Sequence, residues 1–284
     1  MNFRRIEWIF FLAFIVLDIF LIFTYFQQNW SVVSIKNSNQ GANETIMKSI
    51  RNDQIEINPI LSNRASEGYY LASPNSDDLK NKADTDLRYV TWTYNDHKLT
   101  GNFTTLIKIN DSDNPQKTLN SVVDDASLII HGKDYAYSKE LSSKNTIVYT
   151  QMVHGKPIYT PEGQLRFTVK GGYVVGYTQR HLAKIQQLRE VKKTISQRRA
   201  VILLYQYNKI PANSTVKWVK LGYTKLLTAN NNTILIPTWN VKIKSDSSGI
   251  VQYRRLNAFT GAIILKPKNV KVTRQSSKKH SHKK

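Results

Sequence analysis

Cysteine is the one residue type that this chain lacks altogether. Its absence excludes disulfide bonds, a thiolate nucleophile and a cysteine-ligated metal. Motifs of the common enzyme classes are missing too, because the sequence has no Gly-x-Ser-x-Gly elbow, phosphate-binding loop or dinucleotide-binding fingerprint. Stability must therefore come from a hydrophobic core, and a hydrophobic content of 40% is enough to build one.

Candidate metal ligands and catalytic pairs are also sparse. The chain has six histidines, and no two in the predicted folded region have an H-x-x-x-H spacing. His280 and His282 can chelate a metal weakly, but they belong to a basic, solvated segment. Each of the acidic pairs at 77–78 and 124–125 consists of consecutive residues, whose side chains diverge on a strand or helix, and the first pair falls in a predicted turn. The sequence therefore predicts no enzymatic activity, no cofactor and no metal site.

The longest apolar run covers residues 8–26, WIFFLAFIVLDIFLIFTYF, where eighteen of nineteen residues are apolar, aromatic or Thr. As a helix rising about 1.5 Å per residue, it reaches roughly the 30 Å thickness of a bilayer's hydrocarbon core. Arg4 and Arg5 precede it and the next basic residue is Lys36, which places the N-terminus in the cytoplasm. A cleaved signal peptide is the alternative, but the run exceeds an h-region of about 7 to 15 residues and no small-x-small cleavage site follows. We predict an uncleaved anchor, with the rest of the chain outside the membrane.

Asp18 is the one charged residue in this run. A carboxylate near the middle of a membrane helix costs on the order of 2.5 to 3.5 kcal/mol. Residues spaced alternately by four and three line up along a packed left-handed helix pair. We therefore predict a partner-binding transmembrane seam that consists of Glu7, Phe11, Phe14, Asp18, Leu21 and Tyr25. Alternatively, Asp18 is neutral and simply tolerated in a very apolar helix.

Acidic residues are scarce in the second half of the chain. Residues 141–284 contain 27 Lys or Arg and three acids, a net charge of +24, whereas residues 31–140 contain 12 basic and 15 acidic residues. Such a charge predicts an anionic partner, namely wall polymer, lipid head groups or an acidic protein. Nucleic acid is the least expected partner, because the basic half of the chain is predicted to lie outside the cell. The alternative is that the charges only maintain solubility.

Short β-branched and aromatic segments follow helical patterns and are separated by polar turns. This order predicts an α+β fold in which antiparallel sheets are packed by helices in two lobes, preceded by one transmembrane helix. We expect helices from Asn43, over 118–130 and over 196–207. The third is the clearest, because Ser196 can cap it and its apolar face consists of Ala200, Leu203, Leu204 and Tyr207.

These patterns divide the chain into six segments. We predict a cytoplasmic N-terminus, a transmembrane helix, a tether, an N-terminal α+β lobe, a C-terminal α+β lobe and a basic disordered tail, at residues 1–7, 8–26, 27–42, 43–115, 116–265 and 266–284. The C-terminal lobe is a candidate internal duplication, because the segments from Thr146 and Thr233 begin alike and each is followed by a Gly-led strand. The tail has eight Lys or Arg and no acid.

A distinctive order of segments runs through the chain. After the N-terminal RRIEWIFFLAFIVLDIFL come GKPIYTPEGQLRF, ISQRRAVILLYQYNKIP, LGYTKLL, ILIPTWNVKI and YRRLNAFTGAII. In this order the chain resembles the YycI proteins of the YycH/YycI family, which are membrane-anchored regulators associated with the WalK/WalR two-component system of Gram-positive bacteria. The resemblance extends to about Leu265 and does not account for the Lys/His-rich tail.

This resemblance implies a non-enzymatic accessory protein with an α+β fold. Family members pair with the sister protein YycH and contact the sensor histidine kinase WalK, partly through transmembrane helices, and thereby modulate cell-wall metabolism. The implied partners are a WalK-type kinase, a YycH-type protein and the membrane. The residues themselves leave two alternatives open: a wall-polymer-binding module that uses its basic half, and an uncharacterised exported hydrolase.

Overall fold

The computed structural model describes Trp8, Phe11, residues 14–21 and residues 39–264. Residues 14–21 are helical. The range 39–264 contains helices α1 (Asn39–Asn52), α2 (Asp78–Asp86), α3 (Gln116–Asp124) and α4 (Gln197–Gln206), and 3-10 helices η1 (Gly132–Asp134) and η2 (Pro161–Gly163). Its strands are β1 (Ile55–Ile57), β2 (Glu67–Gly68), β3 (Leu71–Pro74), β4 (Val90–Asn95), β5 (Lys98–Lys108), β6 (Tyr135–Tyr137), β7 (Thr146–Val153), β8 (Lys156–Pro157), β9 (Gln164–Lys170), β10 (Tyr173–Gln179), β11 (Gln186–Gln187), β12 (Lys192–Lys193), β13 (Ser214–Ala229), β14 (Asn232–Ser245) and β15 (Val251–Asn257). Residues 27–38 of the predicted tether and the predicted tail lie outside the described residues.

The first sheet has seven strands in the order β4-β5-β10-β9-β7-β6, with β8 paired to β7. Its strand pairs are antiparallel. Strand β9 shows the alternation that builds it, because Leu165, Phe167 and Val169 are buried while the residues between them are exposed. Helices α2 and α3 contribute Leu79 and Leu119 to the same core. This sheet therefore buries one face under two short helices.

The second sheet has six strands in the order β1-β13-β14-β3-β11, with β15 paired to β14. Its longest feature is the β13–β14 hairpin, whose turn residues Asn230 and Asn231 both have positive φ, as a tight two-residue turn requires. Strand β1 pairs in parallel with β13, a departure from the purely antiparallel prediction. Helices α1 and α4 cover this sheet, and their Ile50 and Leu204 share a core with Val241 of β14.

A smaller third cluster connects the two sheets. It joins residues from β3, β13, β14 and the segments that follow β8 and β10, namely Leu71, Tyr223, Leu235, Ile158 and Leu182. Ile158 also forms an isolated parallel bridge with Tyr223. Both sheets combine strands from before and after residue 115, where the sequence predicts the boundary between lobes. The predicted α+β class, with antiparallel sheets and packed helices, is confirmed.

Helix α4 confirms the predicted cap and corrects the predicted face. The Ser196 hydroxyl accepts a hydrogen bond from the backbone N of Arg199 at 3.2 Å. The buried residues of the helix are Ala200, Val201, Ile202 and Leu204. Leu203 is only partly buried and Tyr207 is 45% exposed, so part of the predicted face was wrong. Because α4 contacts both β14 and α1, its buried surface is wider than one helical stripe.

The helix predicted over 118–130 ends early. It is α3, which stops at Asp124. The Oδ1 atom of Asp125 accepts hydrogen bonds from the backbone N and the hydroxyl of Ser127, at 2.8 and 2.7 Å. This local bonding offers the backbone an alternative to further helix.

The first helix begins earlier than predicted, and the second was not predicted. Helix α1 starts at Asn39, so Asn43 lies within it and does not cap it. Helix α2 lies in a polar stretch whose buried residues are Leu79 and Ala83. Two apolar positions in nine residues give too weak a period to indicate a helix.

Candidate functional site

The predicted transmembrane seam is only partly described. Glu7 and Tyr25 lie outside the described residues, as do residues 9, 10, 12, 13 and 22–26 of the predicted anchor. The exposed fractions of Phe11, Phe14 and Leu21 are 60%, 64% and 54%, and Asp18 is exposed as well. Ile19, off the seam, is 61% exposed, so exposure does not single the seam out. Among the described residues, no helix is both long and apolar enough to cross a membrane. The seam stays a prediction.

A different group of polar side chains is brought together within the fold. The rings of His131 and His181 are stacked, with their centroids 4.2 Å apart and their planes at 11°. His131 Nε2 lies 2.5 Å from Asp78 Oδ2, and His181 Nε2 lies 2.8 Å from Asp134 Oδ2. Because a carboxylate only accepts hydrogen bonds, each Nε2 donates. We call Asp78, His131, Asp134 and His181 the His–Asp cluster.

Elements from distant parts of the chain supply these four residues. Asp78 opens α2, His131 directly precedes η1, Asp134 ends η1, and His181 follows the end of β10. The loops are held by hydrogen bonds between them, since Gln179 Nε2 donates to the carbonyl oxygen of Ile130 at 2.5 Å. The Tyr135 hydroxyl donates to the carbonyl oxygen of Arg180 at 2.8 Å. The two histidines are thus carried on backbone segments tied to each other.

The turn that presents His131 has an unusual backbone. His131 lies in the left-handed region, with φ 53° and ψ 32°. Gly132 follows, and a Cβ there would lie 1.6 Å from the carbonyl oxygen of Val123. Only glycine lets the backbone pass so close to the end of α3. The sequence of this turn therefore fixes the backbone position from which the His131 side chain extends.

Burial determines the chemistry of His181. Its side chain is 6% exposed, compared with 21% for His131. Burial lowers the pKa of His181 below its ordinary value, against the opposing effect of the hydrogen bond to Asp134. The second ring nitrogen, Nδ1, is buried and has no hydrogen-bond partner. A neutral His181 that donates from Nε2 carries its lone pair on this Nδ1 atom.

A second polar group lies beside the cluster, at the β4–β5 turn. The Tyr94 hydroxyl donates to Asp77 Oδ1 at 2.9 Å, and His97 Nδ1 lies 3.3 Å from the same oxygen. Burial and the bond to Asp77 raise the pKa of Tyr94. A pocket of about 440 Å³ opens here, and its walls include His97, Arg180 and His181.

The cluster suits the binding of a cation or a proton. Neither imidazole of the stacked pair hydrogen-bonds a hydroxyl group in the part of the chain that the structure describes. The arrangement of a nucleophile activated by a histidine therefore does not occur at this stack. One candidate ligand atom from each of Asp78, His131 and His181 lies within 4.8 Å of those of the other two.

Sequence spacing missed this cluster for a structural reason. Motifs such as H-x-x-x-H detect ligands on a single helix, whereas these residues come from two loops and a helix terminus. The acidic pair at 77–78, expected in a turn, instead leads into α2, with Asp77 at the N-cap. The sequence contains one weak signal, since His131 and Asp134 are three residues apart in one short loop.

A comparison with known families identifies the family of the chain. The model of the family described as YycI protein matches residues 33–259. The chain belongs to the YycI family. The resemblance inferred from the order of segments is thereby confirmed, and the match covers both sheets and the His–Asp cluster.

No curated protein matches the chain. The solved structures that match the chain include two at low sequence identity. An uncharacterised protein from Eubacterium rectale has 12% identity and a TM-score of 0.43, over 74% of this chain and 90% of that one. The Bacillus megaterium YpeB C-terminal domain has 14% identity and a TM-score of 0.35, over 79% of this chain and 94% of that one.

Proposed function

We propose that this YycI-family chain is a membrane-anchored, extracytoplasmic accessory regulator without enzymatic activity. It binds a sensor histidine kinase of WalK type, together with a YycH-type sister protein, and so modulates the control of cell-wall metabolism. The observation that carries this proposal is the family match over residues 33–259. The two-sheet fold supports it, because 41 buried hydrophobic residues within the described range 39–264 give the extracytoplasmic part a substantial core of its own.

The proposed anchor is the apolar run at 8–26. Arg4 and Arg5 precede this run, and the adjoining stretch up to Lys36 has no basic residue, so the folded part lies outside the cell. The single-pass topology places the two sheets where they can meet the extracytoplasmic part of a kinase. It also brings the proposed seam alongside the kinase's own membrane helices.

Energetics favour a protein partner for Asp18. A mid-membrane carboxylate costs about 2.5 to 3.5 kcal/mol, and interhelical hydrogen bonds return roughly 0.6 to 2 kcal/mol each. The chain has no second run of 18 or more apolar residues that could offer a membrane partner within the same molecule. The compensating groups therefore come from another protein, from another copy of this chain or from the lipid boundary, and we assign them to the kinase or the sister protein.

Crosslinking at the seam tests this proposal. Three variants at matched membrane levels are compared with the parent: Asp18→Leu, Phe14→Ala and the off-seam control Ile19→Ala. Losing one hydrogen bond of about 0.6 to 2 kcal/mol weakens association about three- to thirty-fold, so Asp18→Leu should reduce crosslinking to the kinase and the sister protein without abolishing it. Phe14→Ala should reduce it by lost packing, and Ile19→Ala should resemble the parent.

If all three variants crosslink like the parent, the seam is not the coupling surface. The interaction would then rest on the folded part alone. If Ile19→Ala is as damaging as Asp18→Leu, the whole apolar helix contributes and the stripe of six residues has no special role.

A second candidate function follows from the charge distribution. With 27 basic and three acidic residues at 141–284, the chain can act as an exported module that binds anionic wall polymer or lipid. This module would stay on isolated wall without any membrane partner, and its retention would fall steeply with salt. Retention that needs the kinase, and not the wall, favours the regulator instead.

A further inference from the structure

We propose that Asp78, His131 and His181 form a binding site for one divalent transition-metal ion of the zinc class. The proposal concerns a site within the folded part of the chain and is independent of the regulatory role and of the seam. It rests on the donor atoms, on an unpartnered buried nitrogen and on a carboxylate that orients one ring.

The donor set fits zinc and the other divalent transition metals that bind imidazole well. Two imidazole nitrogens and one carboxylate oxygen are supplied by residues whose ligand atoms lie within 4.8 Å of one another. Zinc binds imidazole at about 2.0 to 2.1 Å and carboxylate at about 2.0 to 2.2 Å, with four ligands in a tetrahedron. Calcium and magnesium prefer sites made wholly of oxygen atoms, which this cluster does not offer. Three protein ligands leave the fourth position to water or to a group from a partner.

The Nδ1 atom of His181 is the strongest single observation. The side chain is 6% exposed, and Nδ1 has no hydrogen-bond partner. Leaving a buried polar atom unpaired costs about 1 to 3 kcal/mol, so such an atom in a native protein needs an explanation. A metal ion bound at Nδ1 supplies that explanation, because a neutral ring that donates from Nε2 to Asp134 carries its lone pair on Nδ1.

Asp134 lies where a carboxylate that orients a metal-binding histidine would lie. It accepts the Nε2 hydrogen of His181 at 2.8 Å, on the side of the ring opposite to Nδ1. Metal-binding histidines almost always donate their other nitrogen to a carboxylate, a carbonyl or water, which fixes the tautomer and raises the basicity of the ligating atom. Asp134 is therefore a positioning residue for His181 and does not itself bind the ion.

Binding requires one ring to leave the stack. Two imidazoles with planes 11° apart and centroids 4.2 Å apart cannot both aim an in-plane lone pair at one ion. His131 is the ring that turns, since it is 21% exposed against 6% for His181. The ion then takes the place of the hydrogen that now joins His131 Nε2 to Asp78 Oδ2, and this hydrogen leaves as a proton to the solvent. Metal loading thus breaks the stack and ties η1 to the first residue of α2.

The test is a zinc titration of the full-length chain in detergent, against a competing chromogenic chelator. The protein is purified without a histidine tag. The double variant His280→Ala/His282→Ala serves as the parent in this experiment, because these two histidines can also bind metal. We expect one zinc per chain. Affinity should fall at least about 100-fold in His131→Gln and His181→Gln, and about 10- to 100-fold in Asp134→Asn. His154→Gln, outside the cluster, should bind like the parent.

Two results would overturn the site. One is zinc binding in His131→Gln and His181→Gln that equals the parent in number and affinity. The other comes from X-ray absorption of the zinc-loaded parent, which needs no variant to fold: fewer than two imidazoles around the metal contradicts the proposal, and two imidazoles with one or more oxygens support it. Neither result bears on kinase binding, so the two proposals fail separately.

Discussion

Replacing Leu204 with alanine probes how α4 stabilises the second sheet. Leu204 is completely buried and shares a core with Ile50 of α1 and Val241 of β14. The substitution removes three carbon atoms, which are worth about 0.8 kcal/mol each, or about 2.4 kcal/mol in transfer free energy. The cavity that remains adds to this loss, and buried Leu→Ala changes cost about 2 to 5 kcal/mol in total. We therefore expect the free energy of unfolding to fall by about 3 kcal/mol.

The assay is urea unfolding of a chain that begins at residue 39, followed by circular dichroism and by tryptophan fluorescence. The matched control is Tyr207→Ala at the C-cap of the same helix, whose side chain is 45% exposed and should cost less than about 1 kcal/mol. In a domain of this size, a loss of about 3 kcal/mol lowers the melting temperature by roughly 6 to 12 °C. If Leu204→Ala costs no more than Tyr207→Ala, the packing of α4 described above is wrong.

Two further predictions concern the turn at Gly132 and the buried tyrosines. Gly132→Ala should destabilise the fold by about 1 to 3 kcal/mol or more, because the new Cβ meets the carbonyl oxygen of Val123. Gly41→Ala, which has open space around it, should instead stabilise helix α1 slightly. Thermal melts of both variants check this. Burial raises the pKa of Tyr223 to about 12. The unfolded chain therefore loses the hydroxyl proton near pH 10, while the folded chain still keeps it. The free energy of unfolding should consequently fall as the pH rises from 10 to 12. Tyr223→Phe should show a shallower fall in urea unfolding between pH 8 and 11; an unchanged slope would mean that this hydroxyl does not contribute.

The sequence was most informative where local chemistry determines the structure. Ser196 caps α4 as expected, because an N-cap serine needs only the backbone N–H groups that follow it. The alternation of apolar and polar residues at Gln164–Lys170 indicates strand β9 from the sequence alone, because it reflects one buried face directly. Both features depend on neighbours in sequence.

Features that depend on distant neighbours were missed or displaced. The predicted face of α4 included Tyr207 and omitted Val201, because the sequence does not show that α1 packs on the other side of the helix. The His–Asp cluster was not predicted, since Asp78, His131 and His181 have no common spacing and meet only when the end of β10 lies beside the η1 loop. Such a site follows from the topology of the sheet and not from the period of any one segment.

We propose that this YycI-family chain binds the kinase and its sister protein through its anchor and its folded part. Quantitative co-purification from membranes tests it most directly: the WalK-type kinase is captured, and the recovered chain and YycH-type protein are measured against their membrane levels. The parent is compared with a chain whose residues 1–30 are replaced by an unrelated transmembrane helix. We expect the parent to be recovered with both partners, and the replacement to lose most of this recovery while it remains in the membrane. Recovery of the parent no higher than that of an unrelated membrane protein of equal abundance would contradict the proposed binding.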